Sequence, residues 1–213
     1  MSKEVISTPV IRRLPRYYRF LGELEREHVE RISSRELAAR MGLSASQIRQ
    51  DFNCFGGFGQ QGYGYHVKAL REVIGEILGV SGCTPMIMIG AGNLGKAIAS
   101  HVDFGKRGFA LIGVFDSNPL LAGTMTASLP IMPMETLESF CQQHKPQAAV
   151  LCIPKDAAQQ LADKLVSLGI IGFWNFSHFD LRINNPNIIV ENVHLGDSLM
   201  TLAYCLHDKN ETP

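Results

Sequence analysis

Three glycines stand in the order G-x-G-x-x-G at Gly90, Gly92 and Gly95, inside the run MIMIGAGNLGKAIASHV. This spacing suits a chain that must turn sharply, bring its backbone up to a phosphate and pack a helix closely on a strand. The loop Gly90, Ala91, Gly92, Asn93, Leu94 and Gly95 would present the free N–H groups of a helix start to an anion. The motif alone is weak evidence, but its context is strong. An apolar run precedes it, a helical run follows, and a second apolar run ends in Asp116, 21 residues beyond Gly95. A carboxylate there would accept hydrogen bonds from ribose hydroxyls and repel a 2′-phosphate, which favours a dinucleotide of the NAD type over NADP. Asp116 also opens the turn Ser-Asn-Pro, so a purely structural role stays open.

A second constellation lies in SSRELAARMGLSASQIRQDF. Ser33-x-x-Glu36 and Ser44-x-x-Gln47 are two capping boxes on either side of Gly42. Two short helices around a tight glycine turn form a helix-turn-helix, with Ala38 at the crossing, Gly42 in the turn and Ile48 sealing the core. An ordinary helical hairpin is the plainer reading. If the motif binds DNA, the helix from Ser44 to about Phe52 enters the major groove, with Ala45, Ser46, Gln47, Arg49 and Gln50 outward and Ile48 and Phe52 inward. The following CFGGFGQQGYGY has five glycines between Gly56 and Gly64. No strand precedes it and no phosphate-loop Gly-Lys-Ser/Thr is present, so a hairpin wing fits better than a nucleotide loop. A hairpin that touches nothing is the alternative. The residues assigned to DNA are Arg12, Arg16, Ser44, Ser46, Gln47, Arg49, Gln50, Gly59, Gln60, Gly62 and Tyr63.

The elements that must hold these groups are legible along the chain. Thr8-Pro9 reads as a helix cap and first-turn proline, followed by Val10, Leu14, Tyr17, Leu21 and Leu24 at helical spacing. Pro15 interrupts that run, so a kink or a second start is expected there. VKALREVIGEIL over 67–78 is helical again, and GVSGCTP over 79–85 marks a boundary. Beyond it strands and helices alternate: AAVLCIP (148–154), a helix from Pro154 to Leu168, GIIGFWNFS, NIIVENV and a C-terminal helix with Leu199, Leu202, Ala203 and Leu206. The expectation is α/β: an N-terminal winged helix-turn-helix over 1–80 and a doubly wound parallel sheet of Rossmann type over 81–193, with the C-terminal helix and tail over 194–213. Ile153, Pro154, Asn175 and Phe176 fall just beyond strand carboxyl ends, where ligands of such sheets bind.

Composition bounds the rest. The 213 residues are 46% apolar and 19% charged, enough for a real core. Neither a signal-peptide stretch nor an apolar run of about 18 residues appears, so a cytoplasmic protein without a membrane span is expected. Five scattered cysteines suit reduced thiols. The zero net charge hides a +3 balance over residues 1–80 and −3 over 81–213, which hints at a polyanion partner or simply at a solvated helix face. None of the seven histidines has metal-ligand spacing, so no metal site is expected. No Tyr-x-x-x-Lys and no substrate domain are visible, so no catalytic residues are assigned. A small NAD-dependent oxidoreductase with an N-terminal dimerisation domain is the competing reading.

Taken together, SASQIRQDF, CFGGFGQQGYGY, GAGNLGKA, GVFDSNP, the Ile-Pro at 153–154 and Asn-Phe-Ser at 175–177 make the chain, from Pro9 to about Tyr204, resemble the Rex family of redox-sensing transcriptional repressors. The resemblance implies a homodimer on palindromic double-stranded operator DNA, NADH and NAD⁺ as ligands, release of DNA by NADH, and a C-terminal helix exchanged between subunits. It implies a nicotinamide pocket around Ile153, Pro154 and Phe176. Two departures are visible. Gln50 stands where members often have Lys, and His101 and His194 stand where a Tyr and an Asp form an inter-subunit latch in some members.

Overall fold

The structure is a computed structural model that describes residues 6–56, 59–60 and 63–211. It divides into two compact units, Met1–Ser81 and Gly82–Pro213.

The first unit begins with α1 (Thr8–Arg26). Val10, Leu14, Tyr17, Leu21 and Leu24 are its buried residues, the stripe a helix needs to bury one face. The cap lies one residue earlier than the sequence suggests: Ser7 is the N-cap and Thr8-Pro9 fill the first two helical positions. Nor does Pro15 restart the helix, which runs through it. Burial of the flanking Leu14 and Tyr17 offsets the hydrogen bond that proline cannot make. After β1 (Arg31–Ile32) comes α2 (Ser34–Met41), opened by the full Ser33–Glu36 capping box and closed by Gly42 at φ 64°. α3 (Ala45–Asn53) is capped by the Ser44 hydroxyl, which accepts from the Gln47 N–H. The second box is therefore only half built, because the Gln47 side chain turns elsewhere. β2 (Gly59–Gln60) and β3 (Gly64–His66) form an antiparallel hairpin that joins β1 in the order β1-β3-β2. Only glycine serves at 64: φ is +69°, and a Cβ would meet the Ile32 carbonyl oxygen at 2.7 Å. α4 (Val67–Leu78) packs on α1 and ends at Gly79.

The second unit is a seven-stranded sheet. Its elements are β4 (Thr84–Ile89), α5 (Asn93–His101), β5 (Phe109–Asp116), β6 (Met125–Thr126), β7 (Leu129–Pro133), α6 (Leu137–His144), β8 (Ala148–Leu151), α7 (Lys155–Ser167), β9 (Gly172–Asn175), β10 (Ile189–Asn192) and α8 (Leu195–Glu211). Strand order is β10-β9-β8-β4-β5-β7-β6, parallel except where β6 returns along β7. Ile87 and Ile89 of β4 face α6 and α7, while Met86 and Met88 face α5. A strand covered on both sides reads as an unbroken apolar run, as β4 and β8 do. The short β6 and β7 and the turns around them carry no periodicity that would announce them. Their hairpin turns through Ala127 (φ 47°) and Ser128 (φ 65°), two non-glycine residues in a conformation that favours Asn-Gly.

α8 stands apart. Every described side chain from Leu195 to Asp208 is exposed, including Leu199, Met200, Leu202, Tyr204 and Leu206. None of the described helices is long and apolar enough to cross a membrane.

Candidate functional sites: a helix-turn-helix face and a glycine loop

Chain order reverses between β4 and β8, so their carboxyl ends open the crevice where parallel sheets take ligands. Gly90 sits there at φ +97°, and a Cβ on it would strike the Cys152 carbonyl. A Cβ on Gly95 would strike the Gly90 carbonyl, so the third glycine lets α5 sit on the turn. A Cβ on Gly92, by contrast, would meet nothing within 4 Å. As N-cap of α5, Gly92 has no side-chain cap bond, which leaves the first-turn N–H groups and the positive helix end for an anion. Asn93 and Leu94 are exposed beside it and Ala91 is buried. This loop fits a dinucleotide pyrophosphate.

Asp116 ends β5 and is already engaged. Its Oδ2 accepts from the Ala91 N–H at 2.6 Å and its Oδ1 from the Asn118 N–H at 2.7 Å. Asp116 therefore lies against the glycine loop and also starts the following turn. Ile153 reaches within 3.1 Å of the Gly90 Cβ position, beside the loop. Pro154 is exposed and is the N-cap of α7. Burial pushes the Cys152 thiol, between these groups, up to about 12, which favours the protonated form.

Asn175 is the last residue of β9, one position earlier than the sequence suggests, and Phe176 follows it. Asn175 is spent internally: its Nδ2 donates to the Phe179 carbonyl and to Asn192, and its Oδ1 accepts from the Ser177 N–H and hydroxyl. Phe176 is 7% exposed, edge-on to Trp174 at 4.7 Å. His101 closes α5 at the end away from the glycine loop. His194 Nε2 lies 2.8 Å from Asp180 Oδ1, and this partner raises the histidine's pKa. Among the described residues no cluster of His, Cys, Asp and Glu fits a metal ion. A cavity of about 440 Å³ opens at the opposite, amino end of the strands, lined by Met86, Phe104, Phe109, Trp174 and Ile189. It is remote from the glycine loop and largely apolar.

In the first unit, α3 exposes Ser46, Arg49 and Gln50 and buries Ile48 and Phe52. The Ser44 hydroxyl caps α3 and lies 3.0 Å from that of Ser46. Arg49 also reaches back to the Ser34 hydroxyl at 3.2 Å. Arg12 is exposed. Arg16 is partly committed: it donates to the Met41 carbonyl, ending α2, and lies over the Phe20 ring. The wing is tied to the helices by three edge-to-face rings, Tyr17–Phe52 and Phe52–Tyr65, each at 5.0 Å. Tyr63 is 70% exposed beside the hairpin. Gly59 and Gln60 form β2; Gly62 lies outside the described residues.

One group has no counterpart in the sequence reading. Asp51, on the inner face of α3, is 1% exposed and charged. Arg13 grips it bidentately at 2.6 and 2.7 Å, Tyr17 donates at 2.7 Å and Gln47 at 2.8 Å. Burial works to raise its pKa, but the hydrogen bonds from Arg13, Tyr17 and Gln47 together hold it below the usual carboxylate range. The signal that could have found it is a charged residue at the spacing of Ile48 and Phe52. Its partners, 34 and 38 residues away on α1, have no local signature.

Residues 5–53 match the family described as "Putative DNA-binding protein N-terminus", and residues 81–179 match "CoA binding domain". The chain is 53% identical over 208 residues to the redox-sensing transcriptional repressor Rex of Thermoanaerobacter sp. (strain X514), covering 98% of this chain and 92% of that one. It is 46% identical to Rex of Clostridium acetobutylicum, covering 99% and 98%. Among solved structures it is similar to RSP in complex with β-NAD⁺ and operator DNA, at 51% identity and TM-score 0.89, covering 99% of this chain and 100% of that one. The complex of RSP with β-NADH matches at 49% identity and TM-score 0.89, covering 97% of each chain.

Proposed function

The chain belongs to the Rex family of redox-sensing transcriptional repressors, and from that premise we propose how its residues divide the work. The protein is an operator-binding repressor that takes NAD⁺ and NADH and releases DNA on NADH. The observation that carries the assignment is the coexistence of two ready sites in one chain: α3 with its wing, and a glycine loop open at Gly92 beside Asp116.

Residues 1–80 are the DNA-binding domain. Ser46, Gln47, Arg49 and Gln50 face base edges, and Arg12, Arg16, Ser44 and the wing residues Gly59, Gln60, Gly62 and Tyr63 face the backbone. Residues 81–193 bind the dinucleotide. Gly90 to Gly95 take the pyrophosphate, Asp116 takes the adenine ribose, and Ile153, Pro154, Asn175 and Phe176 lie toward the nicotinamide. Coenzyme A shares the adenine and pyrophosphate but carries a ribose phosphate, which the Asp116 carboxylate disfavours. Discrimination between NADH and NAD⁺ falls to the nicotinamide end, because an apolar surface such as Ile153 and Phe176 favours the uncharged ring. Residues 194–213 dimerise the protein: the exposed stripe of α8 is covered by a second copy, with His101 and His194 at the latch. A repressor of this kind works in the cytoplasm and turns over no substrate.

The test is a mobility shift on operator DNA with NADH and with NAD⁺. NADH should release the DNA and NAD⁺ should not. Linkage requires saturating operator to weaken NADH by the same factor, typically 5- to 150-fold. An NADH dissociation constant that ignores operator would sink the switch, and steady NADH oxidation with a small carbonyl substrate would revive the oxidoreductase reading.

A further inference from the structure

The recognition helix carries one side chain whose polarity is set from behind. Asp51 accepts at both oxygens: Oδ2 from Arg13 Nε and the Tyr17 hydroxyl, Oδ1 from Arg13 Nη2 and Gln47 Nε2, all between 2.6 and 2.8 Å. A carboxylate bound to a guanidinium has no proton to give, so the atom of Gln47 that meets it must be the amide nitrogen. The usual ambiguity between the two ends of a glutamine amide is thereby removed by chemistry. Oε1, on the other arm of the amide, accepts from none of the described residues, and Gln47 lies half-buried between exposed Ser46 and the exposed end of α3.

An unrestrained glutamine turns its amide to suit either a donor or an acceptor. Here the i,i+4 hydrogen bond to Asp51 holds one orientation, and Asp51 is itself fixed to α1 by Arg13 and Tyr17. We propose that Asp51 is a positioning residue for sequence recognition: it holds Gln47 as an acceptor toward the major groove, where Gln47 selects a base bearing an exocyclic amine. Adenine N6 and cytosine N4 offer that donor, whereas guanine O6 and thymine O4 meet the amide oxygen as a second acceptor. The proposal rests on the reading of α3 as a recognition helix and adds which group sets its preference.

Two measurements on the full-length protein test it. The first selects duplexes from a library randomised across the operator half-site and compares base preference between variants. Asp51→Asn keeps the size of the side chain but can donate to Oε1, so the tether can reverse. It should flatten preference at one base pair per half-site and weaken operator binding about tenfold, the scale of one good base contact. Binding to random duplex and its salt dependence should be unchanged, because phosphate contacts are untouched. Gln47→Met should flatten the same position, and the double variant should flatten it no further. Tyr17→Phe removes a donor from Oδ2 without touching Gln47 and should keep the preference. A folded Asp51→Asn with the wild-type profile overturns the proposal.

The second measurement stands even if Asp51→Asn does not fold. In wild-type protein the Gln47 side-chain amide, identified by its loss in Gln47→Met, should show one proton shifted downfield and slow to exchange. Two solvent-like, averaged protons overturn the proposal. A wild-type protein that selects no sequence at all while showing the protected proton would instead refute operator recognition by α3, which separates the two failures.

Discussion

α3 and α5, the helices proposed to meet DNA and dinucleotide, are both nine residues long, and they are held in place by opposite means. α5 is placed by backbone: Gly95 lets it rest on the Gly90 carbonyl, and no side chain caps its start. α3 is placed by side chains: a capping serine, two apolar residues, and a buried carboxylate gripped from α1. Backbone placement leaves the helix end bare for an anion of fixed shape. Side-chain placement leaves the outer face free to carry whatever residues a particular DNA sequence demands. The first suits a ligand common to many proteins, the second a target peculiar to one.

Breaking each device should therefore damage one unit and spare the other. The largest effect is expected from Arg13→Ala. It leaves the Asp51 carboxylate, 1% exposed, without its cation, and losing one partner of a buried pair costs about 3–5 kcal/mol. Urea unfolding should show that loss in the N-terminal unit alone, and a loss below about 1 kcal/mol would mean that Asp51 does not hold α3. The same variant should change the response to acid. Because Asp51 is held below the usual carboxylate range, its stabilisation is complete above that range and is lost as pH falls through the folded value. Wild-type protein should lose N-terminal stability there, and Arg13→Ala should lose much less.

Gly95→Ala is the matching break in α5. The added methyl meets the Gly90 carbonyl, and overpacking of this kind costs about 1–3 kcal/mol. Calorimetry should place the loss in the C-terminal unit together with weakened NADH binding; an unaltered NADH affinity would mean that close helix–strand packing is not needed. Asp116→Asn should be milder. Removing its charge is expected to narrow the preference for NADH over NADPH about tenfold, roughly 1.4 kcal/mol, as read by paired titrations. A wild-type protein that binds both equally would contradict the role given to the carboxylate. The smallest effect serves as a control. Ala127→Asn with Ser128→Gly relaxes two left-handed residues in the β6–β7 turn and should stabilise the C-terminal unit by about 1 kcal/mol. Neither ligand affinity should move.

The same contrast explains what the sequence discloses. A backbone device leaves glycines at fixed spacing, so the loop at Gly90–Gly95 and its acid at Asp116 can be read directly. Local caps are legible for the same reason, since Ser33 and Glu36 are three residues apart. A side-chain device joins partners distant along the chain. Arg13 and Asp51 are separated by 38 residues, and nothing near either announces the other. Gln47 shows the consequence: its capping-box spacing suggests that Oε1 accepts from the Ser44 N–H, but the side chain turns to donate Nε2 to the Asp51 carboxylate, a charge-assisted bond. The shift of the α1 cap from Thr8 to Ser7 is the ordinary one-residue uncertainty of helix ends.

Asp116 has a further consequence for how the protein's cofactor can change over generations. Its carboxylate ties the Ala91 and Asn118 amides together in addition to the ribose contact proposed for it. A replacement without an acceptor oxygen, such as Asp116→Ala, would admit a 2′-phosphate but also remove the acceptor that orders the glycine loop. A lineage moving toward NADP by that route would pass through a form with a loosened loop and poor hold on either cofactor. The drift is therefore confined to replacements, such as Asp116→Asn, that lose the charge but keep an acceptor for the Ala91 amide. Fidelity to one redox couple is in this sense an epistatic property, guarded by two backbone hydrogen bonds and not by selectivity alone.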